Sequence, residues 1–446
     1  LHTVYILSAR DSENGPPDPG DGPEATVSVI IPIKNEPFDL VIEGVARLGD
    51  ALRDIGGRVR IFIVSDDSEE YVERLRHAVN GLGLAVPAEV VRRSGGGGRV
   101  GALNYALDNL VNTDTLIVLD VDARPVEGFF DELLRCIRGK SACVGHWSGY
   151  WIRETRIARA LAFSTELVAV SLYKGRQALG LLIFPLGSGT LFRVRDLRAI
   201  GGWEDGTLQD DVIIGMKLHG AGYAVGYSSR AILRVLVPSS YRAFRIQQLK
   251  WAYGSLESLR HSFRYLSKRT GALRSFEARL YTLQYLPALS VLTASIAVPA
   301  LALLTASDVS HASLLVAGAV PLIYAAAVAR TFMRRGMGFL RSLRALGTSS
   351  AIGLTAAPVI VKGVLLGALG MPLRAPVTPK GSDDRENYRE YLEEYITSAI
   401  SSCLGLAALL RGHYIASTMG FLPLIALAYT MLRATKSLQP GHGVGR

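Results

Sequence analysis

The chain has 446 residues, of which 49% are hydrophobic and 20% are charged, with a formal net charge of +10 and a mean hydropathy of +0.25. This composition is too apolar for an ordinary soluble domain and too charged for a bundle of membrane helices alone, so we predict a soluble domain joined to a membrane domain. Basic residues cluster between two apolar segments, which favours anionic lipid headgroups over nucleic acid as their partner. These residues are Arg330, Arg334, Arg335, Arg341 and Arg344.

The first residues and the cysteines carry no recognisable chemistry. We predict a flexible leader over residues 1–26, because residues 11–24 are rich in Gly, Pro and Asp. The chain begins at Leu1 rather than Met, which leaves open whether a segment precedes it. Cys136, Cys143 and Cys403 show neither a zinc spacing nor a disulfide framework, so we expect ordinary thiols.

Residues 27–240 alternate short apolar runs with helix-compatible stretches. The β-rich runs lie at 27–31, 60–64, 88–91 and 116–119. This alternation predicts an α/β, Rossmann-like domain with a mostly parallel sheet covered on both faces. Ligands of such sheets bind beyond the carboxyl ends of the strands, so the polar residues that follow these runs are the candidates for a site.

Residues 280–446 form the predicted α-helical transmembrane domain. A membrane span needs roughly 20 apolar residues, and we predict four spans, at about 281–306, 310–330, 395–411 and 413–432. Residues 345–373 contain Lys362, a charge that is costly at the bilayer centre, and we interpret them as re-entrant or interfacial. The Arg-rich loop then lies on the cytosolic side, as the positive-inside rule requires.

Two further segments, 151–184 and 241–279, mix apolar residues with regularly spaced Arg and Lys. This pattern is typical of amphipathic helices on a membrane surface. The alternative is that these helices pack on the sheet of the soluble domain. We favour the interfacial interpretation, with residues 241–279 as a distinct interfacial unit.

Acidic and polar residues follow three of the predicted strands. The first strand leads into Pro32, Asn35 and Glu36, the second ends at Asp66 and Asp67, and the fourth ends at Asp120 and Asp122. Strand-end Asp residues often act only as helix caps, but three such clusters at one edge of a sheet predict a pocket. Asp120 and Asp122 lie on the same side of an extended segment and offer the oxygen ligands that Mg²⁺ or Mn²⁺ prefers.

Three later segments add phosphate-binding, acid–base and sugar-binding groups. Residues 94–104 read SGGGGRVGALN, in which glycines permit close backbone approach and Arg99 can contact phosphate; the spacing is neither a P-loop nor a dinucleotide fingerprint. Asp210 and Asp211 can supply a general base. Lys250 and Trp251 place a cation beside an aromatic ring.

The order of these segments over residues 27–381 resembles the membrane-integrated, inverting family 2 glycosyltransferases, which include cellulose, chitin and hyaluronan synthases and ceramide glucosyltransferases. The family's "PxxNE" motif matches Pro32, Asn35 and Glu36, its paired Asp matches Asp66 and Asp67, and its "K-x-G-A-L-N" motif matches Arg99 and Asn104. Its DxD motif matches Asp120 and Asp122, and its "TED" motif matches Gln209, Asp210 and Asp211. Its "QxxRW" motif matches Gln247, Lys250 and Trp251, and its "FxVTPKG" motif matches residues 377–381. Arg99 replaces Lys, Lys250 replaces Arg, and Ala375 stands where the gating segment has Phe.

The resemblance implies an A-type glycosyltransferase fold and a nucleotide-sugar donor, most often a UDP-sugar. Asp122 and Asp120 would hold Mg²⁺ or Mn²⁺, and Asp211 would act as the base beside Asp210. The residues that would bind the donor are Pro32, Asn35, Glu36, Asp66, Asp67, Arg99, Asn104, Asp120, Gln247 and Lys250. We expect Trp251 and Trp203 to border the acceptor. A growing polysaccharide is the favoured acceptor, with single-sugar transfer to a membrane lipid as the alternative and an inactive scaffold as a minor one. Oligomeric state is not readable from the sequence.

Overall fold

A mixed sheet forms the centre of the soluble domain. The structure is a computed structural model that describes residues 1–9, 25–266, 268–308, 310–373, 378–380 and 384–438. Its strands are β1 (Val27–Ile33), β2 (Val59–Ser65), β3 (Ala88–Arg92), β4 (Thr115–Val118), β5 (Arg124–Pro125), β6 (Ala142–Tyr150), β7 (Thr190–Arg193) and β8 (Val225–Leu236).

The eight strands are ordered β3-β2-β1-β4-β7-β6-β8-β5. β1 pairs in parallel with β2 and with β4, and β2 pairs in parallel with β3, so the four predicted strands and their parallel arrangement are confirmed. β7 is antiparallel to β4 and β6 and extends the sheet. The α/β prediction is therefore correct, and β1, whose apolar side chains are buried, lies between the two other strands that carry candidate residues.

Helices cover both faces of this sheet and form the C-terminal part of the chain. The helices are α1 (His2–Ser8), α2 (Phe38–Ala51), α3 (Glu69–Gly81), α4 (Gly98–Asn109), α5 (Phe129–Cys136), α6 (Arg156–Val168), α7 (Arg176–Ala178), α8 (Val194–Ala199), α9 (Asp210–Gly220), α10 (Tyr241–Tyr265), α11 (Ala272–Thr282), α12 (Leu286–Thr305), α13 (His311–Met333), α14 (Phe339–Thr355), α15 (Ala357–Leu369), α16 (Leu392–Leu410) and α17 (Tyr414–Tyr429).

The predicted leader is partly wrong, because α1 is a folded element. Tyr5 and Ile6 are buried, and α1 packs against the π-helical turn Ala169–Gly175. The Tyr5 hydroxyl donates a hydrogen bond to Glu277, whose carboxylate also pairs with the buried Arg176. Two apolar side chains and a buried hydrogen bond were enough to order these residues. Residues 10–24, which motivated the prediction, lie outside the described residues.

Among the described residues, two helices are long and apolar enough to cross a membrane, α12 and the stretch Tyr414–Ala434 that includes α17. The pair α14 and α15 also qualifies as one unit, but it is bent by 57° at its break, as a broken span or a re-entrant loop would be. Residues 318–333 form a shorter apolar helix. α16 covers the predicted span 395–411 but begins with Glu393 and Glu394, and it is not among these candidates. Four spans and a cytosolic catalytic domain therefore stay predictions.

The two segments with mixed apolar and basic residues differ in their packing. In residues 151–184 the apolar side chains of α6 are buried mainly among residues of the C-terminal helices, and α6 also packs against β6, so the interfacial interpretation of this segment stays a prediction. In α10 and α11 the rings of Phe263 and Phe276 are exposed near basic residues, and Arg279 lies 4.5 Å from the Phe263 ring centroid. The interfacial interpretation of residues 241–279 stays a prediction.

The expectation of three ordinary thiols is wrong. Cys136, at the end of α5, and Cys143, in β6, form a disulfide with their Cα atoms 5.9 Å apart, and Cys403 is free. The sequence separation of seven residues gave no framework pattern, but the turn between α5 and β6 brings the two side chains together.

α10 joins the soluble domain to the C-terminal helices through two glycines of α15. A Cβ atom at Gly363 would lie 2.7 Å from the carbonyl oxygen of Leu249, and one at Gly367 would lie 2.7 Å from that of Tyr253. The absence of side chains at these positions lets the two helix backbones approach closely. α15 thereby fixes the helix that carries Gln247, Lys250 and Trp251.

We expect Gly363→Ala to lower the free energy of unfolding of the detergent-solubilised protein by about 1–3 kcal/mol, because the added methyl group forces α10 and α15 apart. The matched control is Gly353→Ala in α14, where a Cβ atom meets no neighbour within 4 Å and where Ala favours the helix over Gly. Thermal or denaturant unfolding measures both, and equal effects of the two substitutions would contradict the close helix crossing.

Candidate active site

The carboxyl ends of β1, β2 and β4 meet at one edge of the sheet, and the candidate residues that follow them lie there together. Pro32 is in β1 opposite Val64, and Asn35 adopts a left-handed backbone conformation with φ 55°. This turn directs the Asn35 amide N–H to Asp67 Oδ1 at 2.8 Å, while Ser65 Oγ donates to Asp67 Oδ2 at 2.8 Å. Asp67 therefore fixes the loops that follow β1 and β2.

Arg93, which sequence reasoning missed, holds the neighbouring Asp66. Its Nε and one terminal nitrogen donate to the two carboxylate oxygens of Asp66 at 2.7 and 2.6 Å, and both side chains are more than nine-tenths buried. The other terminal nitrogen donates to the carbonyl oxygen of Gly96 at 2.7 Å. Arg93 thus ties the glycine-rich loop to the end of β2. Its position directly after β3 was the only signal in the sequence.

Lys380 links the ends of β1 and β4. Its Nζ lies 3.1 Å from Glu36 Oε1 and 3.1 Å from Asp122 Oδ1, and all three side chains are largely buried. Burial alone would lower the pKa of Lys380, but the carboxylates of Asp122 and Glu36 raise it above its ordinary value. Lys380 belongs to the predicted gating segment 377–381, of which the structure describes residues 378–380.

The predicted metal ligands are the carboxylates of Asp120 and Asp122, and the Lys380 ammonium group already contacts Asp122. The side chain of Asp120 is exposed, that of Asp122 is nearly buried, and the Tyr150 hydroxyl donates to the Asp122 carbonyl oxygen at 2.7 Å. Within the described part of the chain no group of three or more His, Cys, Asp or Glu side chains could hold a metal. Two carboxylates nevertheless fit Mg²⁺ or Mn²⁺ when diphosphate and water supply the other ligands, as is usual for Mg²⁺.

Arg99 connects Asp120 to the second acidic pair. Its guanidinium lies 3.6 Å from Asp120 and 3.8 Å from Asp210, and it donates a hydrogen bond to the carbonyl oxygen of Gly187. One of its terminal nitrogens is buried without a hydrogen-bond partner. This nitrogen is the one that lies 3.8 Å from Asp210, so the contact between Arg99 and the acidic pair is an ion pair without a hydrogen bond.

Asp211 is held by backbone amides at the N-terminus of α9. It accepts from Gly187 N at 3.1 Å and from its neighbour Val212 N at 2.8 Å. Burial, followed by the charge of Asp210, raises the pKa of Asp211 to about 7. Burial also raises the pKa of Asp210, against the opposing effect of Arg99. A carboxyl group with such a pKa can exchange protons near neutral pH.

The residues of α10 present a cation and a ring to this edge. Lys250 is partly buried, and it makes no hydrogen bond or ion pair with any residue that the structure describes. Burial, followed by the like charge of Lys380, lowers the pKa of Lys250, and the carboxylates of Asp120 and Glu36 partly offset this. The side chain of Trp251 is exposed and that of Gln247 is partly buried. An unpaired ammonium group in a cleft is suited to bind an anion.

Asn104 of α4 holds the turn that contains Trp203. Asn104 exchanges hydrogen bonds of 2.9 and 3.0 Å with the Trp203 backbone and donates to Asp205 at 3.2 Å. The Trp203 ring is 4% exposed and packs against Phe192 in the core. This placement corrects the expectation that Trp203 borders the acceptor: the glycines before it turn the chain so that the ring enters the core. Asn104 positions this turn, and its contact with the donor stays a prediction.

Two protein families match overlapping parts of the chain. Residues 28–201 match "Glycosyl transferase family 2" and residues 115–330 match "Glycosyl transferase family group 2". The first match contains the ends of β1, β2 and β4, and the second contains the acidic pair of α9 and the cation of α10.

Similar proteins are known across the chain and over parts of it. A "Probable glycosyltransferase" of Sulfolobus acidocaldarius is 29% identical over 433 residues, which cover 92% of this chain and 90% of that protein. A beta-monoglucosyldiacylglycerol synthase of Synechocystis is 25% identical over 58% of this chain and 54% of its own length. A poly-beta-1,6-N-acetyl-D-glucosamine synthase of Staphylococcus epidermidis is 32% identical over 17% of this chain and 19% of its own length.

Among solved structures, a mannosyltransferase from Pyrobaculum calidifontis in complex with GDP-Man and Mn²⁺ is similar, with 16% identity and a TM-score of 0.49. The similarity covers 78% of this chain and 93% of that one.

We expect Asp66→Asn to lower the free energy of unfolding by about 3–5 kcal/mol, because it leaves the buried Arg93 guanidinium without its counter-charge. The control is Asp50→Asn, which breaks an Arg53–Asp50 pair of 2.9 Å whose side chains are mostly exposed and therefore should cost about 1 kcal/mol or less. Denaturant unfolding without nucleotide compares the two. A loss for Asp66→Asn no larger than that of the control would show that the Arg93 pair does not stabilise the loop.

Proposed function

We propose that the chain has a family 2 glycosyltransferase domain and is a membrane enzyme that transfers a hexose, with inversion, from a nucleoside-diphosphate sugar to an acceptor at the cytosolic membrane face. The family matches support the reaction class. Two candidate spans and the bent pair α14 and α15 support a multi-pass location. The resemblance of the motifs favours a UDP-sugar as donor.

The observation that carries this proposal is the placement of Asp211. It follows Asp210, which Arg99 links to Asp120, and Gly187 donates to it while accepting from Arg99. Its raised pKa of about 7 suits a general base. In the proposed reaction Asp211 takes the proton of the acceptor hydroxyl, whose oxygen forms the new bond to the anomeric carbon. The bond from that carbon to the diphosphate breaks, and the nucleoside diphosphate leaves from the opposite face, which inverts the anomeric centre.

The leaving diphosphate needs positive charge, and α10 supplies it through the unpaired Lys250. Asp120 and Asp122 would hold Mg²⁺ or Mn²⁺, which stabilises the charge of a departing diphosphate when bound. Arg99, with a buried nitrogen that has no hydrogen-bond partner among the described residues, can donate to a phosphate oxygen. Asp66 and Asp67 lie on the β2 side of the same edge, where the resemblance expects the nucleobase.

For the acceptor we propose a membrane lipid that receives a single sugar. The part of the chain that the structure describes has two candidate spans and one bent pair, and even the four predicted spans are few for a channel that moves a polymer across the bilayer. The relative that makes a glucosyl lipid is similar over a much larger part of this chain than the one that makes a polysaccharide. A growing polysaccharide, which the sequence favoured, is the second candidate, since Trp251 is exposed and a ring of this kind can stack on a sugar. Mass spectrometry of the product separates one added sugar from many.

We expect Asp211→Asn to lower kcat by about 10²–10⁴-fold with little change in KM for the donor, because the amide cannot accept the acceptor proton. In the wild type, kcat/KM should rise with pH through about 7, because Asp211 loses its proton as the pH passes its raised pKa. This rise should be absent in the variant. Asp39→Asn, in the first turn of α2, is the charge-matched control. Normal turnover by Asp211→Asn would contradict the assignment of Asp211 as the general base, and Asp210→Asn would then be tested.

We expect release of the nucleoside diphosphate from one sugar donor in a panel of UDP- and GDP-sugars to require Mn²⁺ or Mg²⁺ and to be lost in Asp122→Asn. The reason is that the variant has one carboxylate fewer for the cation. The assay uses the full chain in nanodiscs with lipid acceptor. Release that is equal in EDTA, or unchanged in Asp122→Asn, would contradict metal binding by these residues.

A further inference from the structure

We propose that Lys380 is a tethered cation that occupies the cation position of the active site until a divalent metal displaces it from Asp122. This inference rests on the proposed function, because it takes Asp122 as a ligand of the metal. In this proposal Lys380 competes with the metal for the carboxylate of Asp122.

The contacts of Lys380 are those of an ion in a site. Its Nζ lies at 3.1 Å from carboxylate oxygens that follow two different strands, Glu36 after β1 and Asp122 after β4. Asp122 is the less exposed of the two Asp residues of the motif, and Lys380 takes one of its oxygens. A divalent cation that binds Asp122 meets this ammonium at the same carboxylate, and two positive charges so close repel each other strongly.

Without a cation this part of the site is unfavourable. Burial raises the pKa of Glu36, and the charges of Asp122 and Asp120 raise it further. Grouped carboxylates stay ionised together only when a positive charge compensates them. Lys380 supplies this charge from within the chain, so the site is held in a charged, ordered form before donor and metal arrive.

The tether that holds Lys380 at the site is Asp384. Its carboxylate accepts from the amides of Ser239 and Ser240 at 2.6 and 3.1 Å and from the Ser240 hydroxyl, at the N-terminus of α10. Arg153 donates to the Asp384 carbonyl oxygen at 2.9 Å. These contacts are buried, and a carboxylate at a helix N-terminus is favourable.

The tether limits how far the displaced ammonium can travel. Lys380 precedes Asp384 by four residues, which span at most about 14 Å when extended. After displacement, the Lys380 backbone therefore stays within this distance of Asp384, and we expect its ammonium group to pair with the phosphate charge of the donor. The exchange moves one positive charge from the carboxylates to the donor, so metal and donor binding favour each other.

The test is Mn²⁺ binding, measured by electron paramagnetic resonance on the full chain in nanodiscs, without donor and with saturating UDP, which supplies the diphosphate ligands. We expect Lys380→Gln to bind Mn²⁺ at least about 10-fold more tightly than the wild type, because a site that is free in a tenth of the molecules binds with a tenfold weaker apparent affinity. Lys250→Gln is the matched control: it removes the same charge from the same cleft but touches neither Asp122 nor Glu36. Its effect should be under about 3-fold.

Each outcome decides the matter. Tighter binding in Lys380→Gln alone, abolished by adding Asp122→Asn, supports the exchange. Equal Mn²⁺ affinity of Lys380→Gln and wild type, with binding still dependent on Asp122, overturns the exchange and leaves the proposed metal site intact. Equal affinity of Asp122→Asn and wild type overturns the metal site and the exchange together. Melting temperatures of the variants verify that each is folded.

Discussion

The carboxylates at the edge of the sheet constrain the rest of this structure. Glu36, Asp120, Asp122, Asp210 and Asp211 lie on loops or helix ends that meet at this edge, and all except the exposed Asp120 are largely buried, which strengthens their mutual repulsion. Each is compensated by a group from another element: Lys380 reaches Glu36 and Asp122, Arg99 reaches Asp120 and Asp210, and backbone amides hold Asp211. The cleft is therefore a charged site in which ligands exchange with existing partners.

α10 transmits this arrangement to the C-terminal helices. Its N-terminus is bound by Asp384 and by Glu386, which accepts from the Tyr241 amide at 2.7 Å. Its middle packs on the glycines of α15, and Arg245 pairs with Glu394 of α16 at 2.7 Å. Lys250 is thus positioned by contacts from the chain that follows Lys380 and from apolar helices. A shift of these helices relative to the sheet would move Lys250, so its proposed contact with the diphosphate depends on how the C-terminal helices pack.

The parallel half of the sheet and the convergence of its strand ends could be predicted from the sequence, because buried parallel strands are continuous apolar runs. β5 to β8 were not predicted, since β7 has only four residues and β6 mixes polar and apolar side chains without a clear period. The Arg93–Asp66 pair, the fold of α1 and the disulfide depend on contacts between segments, which no local pattern encodes. The prediction that Trp203 borders the acceptor was wrong for a different reason, because an aromatic residue after glycines is equally typical of a binding surface and of a core.

The two exchanged basic residues have a common explanation in this geometry. The resembled motifs carry Lys where Arg99 stands and Arg where Lys250 stands, so the charge of the cleft is conserved while the guanidinium changes place. Arg99 lies between Asp120, Asp210 and the Gly187 carbonyl, and a planar group with several donors can serve all three, which a single ammonium cannot. Lys250 has no protein partner to satisfy among the described residues, so a point charge is sufficient there. Compared with the resembled motifs, the guanidinium contacts the carboxylates instead of the leaving group, so protein contacts of Arg99 help to position the acidic pair. In the proposed reaction the diphosphate is then contacted by Lys250, by the tethered Lys380 and by a bound cation.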